Sequence, residues 1–355
     1  MIRPIIGITM GDPAGIGPEI IVKSLLDSKV YEKCRPLVIG DSRVIQQALH
    51  LINSDLALTI CSVRTPLDGK YISGVIDVLD LKNISPEEYS FGRVQGKCGL
   101  VAGESIRTAI ELALTKKISA IVTSPIAKDA FKIGGFQYAG HTEMFGELTG
   151  TKDYRMVLMH EKLSVIHNST HVSLRQAIDL VRKDRILKTI TLGNEFAIEM
   201  GIKNPRIAVC GLNPHCGENQ MFGSEEIDEI VPAIEVALKS GINVISRTVP
   251  ADTAFAKAEI FGYDLVVAMY HDQGHIPVKL KSFQWDGKTE EVSVRGINTT
   301  VGIPIIRTSV DHGVAFGKAG KGIADHSSLL DALNLAILLA CSRDSKNTTK
   351  VNAGI

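Results

Sequence analysis

An α/β fold with a largely parallel sheet is what this sequence predicts. Three observations carry the prediction. Short β-branched runs alternate with amphipathic stretches along the chain. The composition is ordinary for a globular protein, with 355 residues, 45% hydrophobic and 22% charged, enough for one large or two medium domains. No internal repeat or low-complexity segment interrupts the alternation.

Taken in order, "IIGITM" (5–10) reads as a strand that enters a Gly/Pro loop, and "PEIIVKSLL" as the helix after it. "RPLVIG" is a strand leading into "DSRVIQQALH", a helix that Asp41 or Ser42 can cap. "AGESIRTAIELALTKK" has helical apolar spacing, and "ISAIVTSP" is a strand running into a turn. Residues 130–150 carry five glycines and read as a hinge or an active-site loop. "RMVLMHEKLSVIH" is two strands joined by a turn at Glu161-Lys162, followed by the helix "SLRQAIDLVRK" with Ser173 as cap. "RIAVCGLNPH" is strand and loop, "SEEIDEIVPAIEVALKSG" helix, and "DLVVAMYHDQG" strand and loop. The segment 281–296 holds the only Trp and reads as a surface loop or short hairpin; the tail "SRDSKNTTKVNAGI" is polar and expected to fray.

Zero net charge and the lack of a basic stripe argue against a nucleic-acid partner. No apolar run approaches the roughly 20 residues of a membrane span. The N-terminus "MIRPIIGITMGDPAGIG" goes straight from a short apolar run into a turn, unlike a signal peptide, so the cytoplasm is expected. Six cysteines form no C-x-x-C pair and read as reduced thiols; Cys216 stands out because it adjoins His215.

The stretch "VVAMYHDQGHIPVK" ends a buried strand in two imidazoles, a carboxylate and a lysine. His171, His215 and His271 each follow a predicted strand, and ligands of open α/β sheets bind beyond the strands' C-terminal ends. Three such ligands with an open position suit a catalytic divalent metal; the alternative is three hydrogen-bonded loop histidines, since the spacing matches no local metal motif. His141 and Thr142 in "GHTE", Lys279, Asn298, Arg307, Asp311 and His312 form a second polar group. Arginine and lysine are usual partners of phosphate and carboxylate, and Arg307 directly follows the apolar "GIPII". "GDPAGIGPE" (11–19) is neither a dinucleotide fingerprint nor a Walker A sequence; it reads as an anion-holding helix start or a tight turn.

"TMGDPAGIGPE", "GHTE", "THVSLR", "GLNPHCGE", "PADTAF", "AMYHDQGHIPVK" and "GIPIIRTSVDHG" occur in this order across nearly the whole chain. Together they resemble the 4-hydroxythreonine-4-phosphate dehydrogenase (PdxA) family. The resemblance implies an isocitrate/isopropylmalate-dehydrogenase-like fold of two α/β/α subdomains with a cleft between them. Their approximate bounds are 1–135 plus 300–355, and 136–299, the second carrying the metal ligands and dimer contacts. It implies NAD, a divalent metal (Zn, Mg, Mn or Co) and a homodimer with active sites at the subunit interface. The family's metal histidines fall on His171 and His215 of one subunit and His271 of the other. Its substrate contacts fall on His141, Thr142, Lys279, Asn298 and Arg307, and its supporting aspartates on Asp252 and Asp272; Asp252, Asp272 and Lys279 are the catalytic candidates. The connection "SFQWDGKTEEVSVRG" is longer than in the vitamin B6 enzyme. That resembles a sister branch acting on 4-phospho-D-threonate or 4-phospho-D-erythronate. The implied chemistry is metal-assisted oxidation of the C3 hydroxyl by NAD, then decarboxylation to dihydroxyacetone phosphate. Alternatives are the B6 reaction itself and, from another class, a metal-dependent hydrolase.

Overall fold

A computed structural model of the chain describes residues 3–52, 58–285 and 292–352. Its strands are β1 (Ile5–Thr9), β2 (Arg35–Gly40), β3 (Thr59–Val63), β4 (Val75–Asp80), β5 (Ala120–Thr123), β6 (Arg155–His160) and β7 (Leu163–His167). They continue as β8 (Ile207–Val209), β9 (Leu265–Ala268), β10 (Phe283–Trp285), β11 (Val292–Val294), β12 (Ile297–Val301) and β13 (Arg307–Val310). The chain forms two compact units, Met1–Asp153 with Ile303–Ile355, and Tyr154–Gly302.

In the first unit the strands run β3-β4-β2-β1-β5-β13, and every described pairing is parallel. The sequence supports this directly. Ile6, Ile8, Leu37, Val38, Ile39, Val78, Ile121 and Val122 are completely buried, as expected of strands covered on both faces. "GDPAGIGPE" is a turn into the helix Gly17–Ser24, with Pro18 in its first turn. Gly11 takes φ 75 there, and a side chain at this position would collide with the Pro125 carbonyl. Asp41 accepts from the Arg43 N–H at 3.0 Å at the start of Ser42–Ile52, the cap its sequence position predicts.

The second unit is mixed. Its strands run β12-β6-β7-β9-β8, with β12 and β7 antiparallel to β6, and β7, β9 and β8 parallel to one another. The turn at Glu161-Lys162 is where the sequence places it, with Glu161 at φ 49. Ser173 caps Leu174–Asp179 by accepting from the Gln176 N–H at 3.3 Å. Leu158, Val165, Ala208, Val266 and Val278 share the unit's core.

Four segments differ from, or refine, the expectation. Residues 130–150 contain two helices, Lys128–Ile133 and His141–Leu148, and belong with the first unit. Phe136 stacks on Phe131 with centroids 4.7 Å apart, which folds the glycine turn back onto the first helix. The "HDQG" segment is not a loop but the first turn of the helix His271–Ser282. There the Gln273 side chain accepts from the Met269 N–H at 2.7 Å and donates to the Gly211 carbonyl at 2.8 Å. Residues 342–352 of the polar tail, expected to fray, continue the helix Ser327–Asn352, one face of which is buried by Leu329, Ala332, Leu333, Ala336 and Leu339, and residues 353–355 lie outside the described residues. β10 and β11 pair antiparallel as a hairpin; residues 286–291 lie outside the described residues. Among the described residues no helix is long and apolar enough to cross a membrane.

Candidate active site

The polar residues singled out by sequence fall into two groups, one per unit. In the first unit, Arg307 opens β13 and is 3% exposed. Its Nε and one terminal nitrogen donate to Thr123 Oγ1 at 3.2 and 2.9 Å, and its guanidinium lies 5.6 Å from the Phe145 ring centroid. Burial pulls its pKa down to about 10, opposed by the nearby Glu143 carboxylate, so it stays cationic at neutral pH. His141 is the first residue of the helix His141–Leu148, where backbone N–H groups favour anions. Its Nε2 is shielded from solvent without a hydrogen-bond partner. Burial, and then the Arg307 and Lys128 charges, push its pKa well below the ordinary value, so it is neutral. Thr142, next along, is buried. One fixed cation, a neutral imidazole and a helix start are groups that an anion site would use.

In the second unit β7, β9 and β8 lie side by side and parallel, so their C-terminal ends share one edge. His171, His271 and His215 all follow those ends. The loop carrying His171 is fastened to the end of β9: the Asn168 N–H donates to the Ala268 carbonyl at 2.8 Å, and Ser169 Oγ to the Met269 carbonyl at 3.0 Å. The His171 and His271 ring centroids stand 6.2 Å apart. His271 Nδ1 pairs with Asp272 Oδ1 at 2.7 Å. A ring that donates through Nδ1 keeps its Nε2 lone pair for a ligand, the arrangement typical of metal-bound histidine.

His215 sits in a strained turn. His215, Cys216, Gly217, Glu218, Asn219 and Gln220 all have positive φ. Non-glycine residues resist that conformation, so neighbouring contacts must impose it. The buried Glu226 carboxylate is one such contact, accepting from the Leu212 and Asn213 N–H groups at 2.7 Å each. Asp252 lies in the first turn of Ala251–Phe261 and is close enough to Cys216 to act on its charge. Burial pushes the Cys216 thiol up, which makes it a poor nucleophile.

Lys279 lies two turns beyond His271 on the same helix, its amine 5.8 Å from the Phe283 ring centroid. Asn298 lies on β12 opposite Leu158, with its Oδ1 buried and unpartnered. Among the described residues of one chain, no three His, Cys, Asp or Glu side chains stand close enough to hold a metal together.

Two further histidines were not assigned from sequence. His275 stacks on His271 with centroids 3.6 Å apart and planes 10° apart. His167 lies behind it at 4.5 Å. Burial first, then neighbouring imidazoles, pulls His167 to about 3 and His275 to about 4, so both are neutral. The available signal was spacing: each lies four residues from a candidate ligand, His167 before His171 and His275 after His271.

The family described as pyridoxal phosphate biosynthetic protein PdxA matches residues 32–336. A D-threonate 4-phosphate dehydrogenase of Cupriavidus necator is 47% identical over 96% of this chain and 98% of its own length. The crystal structure of a 4-hydroxythreonine-4-phosphate dehydrogenase from Klebsiella pneumoniae has a TM-score of 0.81 at 41% identity, covering 95% of this chain and 98% of that one. A 4-hydroxythreonine-4-phosphate dehydrogenase from Burkholderia phymatum has a TM-score of 0.79 at 43% identity, covering 96% and 99%. With the family match spanning most of its length, the chain belongs to the PdxA family, a family of dehydrogenases.

Proposed function

We propose that this enzyme oxidises a phosphorylated four-carbon 3-hydroxy acid, 4-phospho-D-threonate or 4-phospho-D-erythronate, with NAD. Loss of carbon dioxide from the 3-keto acid then gives dihydroxyacetone phosphate. The carrying observation is the set of histidines beyond the ends of three adjacent parallel strands, His171, His271 and His215. Their donor chemistry fits a divalent metal, because His271 has its Nδ1 engaged by Asp272 and its Nε2 left for coordination. Such an ion supplies Lewis-acid polarisation of the substrate hydroxyl. NAD would supply the hydride acceptor.

The chain's own residues do the rest. Arg307 and Lys279 bind the phosphate, and remote binding energy holds C3 in its reacting orientation. His141 and Thr142 supply uncharged hydrogen-bonding groups, and Asn298 offers its solvent-shielded amide oxygen. Asp272 fixes the tautomer of His271, and Asp252 supports the turn that presents His215. We place the metal at a homodimer site, with His171 and His215 from one subunit and His271 of the partner subunit. The D-threonate 4-phosphate name of the Cupriavidus relative supports the sugar-acid substrate. A second reading, oxidation of 4-phosphohydroxythreonine, is favoured by the names of the two solved structures.

The test is NADH formation with all three phosphorylated acids at equal concentration. Faster turnover of either sugar acid is expected. Preference for 4-phosphohydroxythreonine moves the enzyme to the second reading, and no NADH with any of them removes both.

A further inference from the structure

We propose that His275 is a positioning residue that holds the His271 imidazole in its ligating orientation. The proposal rests on the metal reading of His271 and deepens it. A histidine at an exposed helix start ordinarily samples several rotamers, and freezing them when a ligand arrives weakens binding. His271 is restrained beforehand on two sides. Its Nδ1 edge meets Asp272 at 2.7 Å, but that carboxylate is 71% exposed, so water competes for the bond. The second restraint is the His275 ring, lying flat against one face at 3.6 Å and 10°. This leaves the Nε2 edge of His271 for coordination.

His275 is itself held. Its Nδ1 donates to the His271 carbonyl one turn back, at 3.1 Å. Its other side packs on His167, which is 1% exposed on β7. Gly274 makes this stack possible, because a side chain at 274 would collide with the His167 ring and with Val165. The order β7, His167, His275, His271 therefore transmits the rigidity of the sheet to a ring at the helix start. A space-filling histidine would need neither the coplanar contact nor the bond to the His271 carbonyl.

The experiment titrates Co2+ into metal-free protein, without substrate, by calorimetry and by the visible absorption of the bound ion. It uses wild type, His271→Ala, His275→Ala and His275→Phe, with thermal melts of each metal-free form to confirm folding. Phenylalanine keeps the flat ring and loses only the bond to the carbonyl. Groups that orient metal ligands typically contribute about 10–100-fold in affinity. His275→Ala should weaken Co2+ binding about tenfold and alter its absorption band, and His275→Phe should recover most of the loss. If His271→Ala abolishes binding while His275→Ala matches wild type, His275 does not position the ligand and the metal reading stands. Equal losses in His275→Ala and His275→Phe would also overturn the stacking role. If His271→Ala binds as wild type does, the metal reading itself falls.

Discussion

Arg307 in the first unit and the imidazoles around His271 in the second answer burial in opposite ways. Burial brings the Arg307 guanidinium down to about 10, still far above neutral, so the group remains a fixed cation beside Thr123 and Phe145. The same effect brings His275 and His167 to about 4 and 3, so those rings lose their charge and keep lone pairs. The supporting sheets differ too, all parallel in one unit and mixed in the other. The lesson is a division of labour. A guanidinium survives desolvation as a cation, whereas a buried imidazole sheds its proton and serves either as a neutral hydrogen-bonding group, as at His141, or as a lone-pair donor toward a cation.

The largest effect expected from breaking this division is metal removal. Dialysis against a strong chelator should abolish NADH formation, and a divalent ion should restore it. Full activity in metal-free protein would remove the second unit's role. Subunit sharing sharpens the same point, since one chain already brings His171 and His271 rings to 6.2 Å. His171→Ala and His271→Ala proteins, unfolded and refolded together, should regain about a quarter of wild-type sites if the ligands come from different subunits. No recovery, with mixed dimers confirmed by mass, would place the pair within one chain.

Next in size is the anion group. Arg307→Ala should raise KM for the phosphorylated substrate roughly tenfold to hundredfold, since a charge-assisted contact contributes about 1.5–3 kcal/mol. An unchanged KM in folded protein would take Arg307 out of the site.

The smallest effects are on stability. Asp12, 1% exposed, has its pKa raised by burial from 3.8 to about 6. The folded state therefore holds this proton more tightly than the unfolded chain. Its contribution is fully present below pH 3.8 and is lost as pH rises through about 6. Asp12→Asn should gain on wild type across that window, by on the order of 2–3 kcal/mol at most. His167 and His275 act with the other sign, because their folded values lie below the ordinary 6.5. Their contribution is present above pH 6.5 and is lost as pH falls toward 3–4. Urea denaturation across pH measures both, and a flat difference between Asp12→Asn and wild type would contradict the assignment.

Much of the fold was legible because its signals are local. "IIGITM" and "RPLVIG" are β-branched runs, and Asp41 and Ser173 cap the helices their positions announce. The "HDQG" helix was not legible, since Gln273 ties it to Gly211, which lies 62 residues away in sequence. Arg307 stood out by following an apolar run, and the three candidate ligand histidines by following strands. His275 was visible only as the second imidazole of "YHDQGH", and His167 not at all, because their value lies in ring-to-ring contact across the sheet–helix packing. The strained turn at His215 was equally hidden, as nothing in "NPHCGENQ" predicts six successive positive φ values.

The measurement that tests the division most directly pairs two titrations on the same proteins. Co2+ binding and inorganic phosphate binding are measured by calorimetry for wild type, His271→Ala and Arg307→Ala. His271→Ala should lose Co2+ and keep phosphate, and Arg307→Ala should lose phosphate and keep Co2+. Loss of Co2+ binding in Arg307→Ala, or its retention in His271→Ala, would contradict the account.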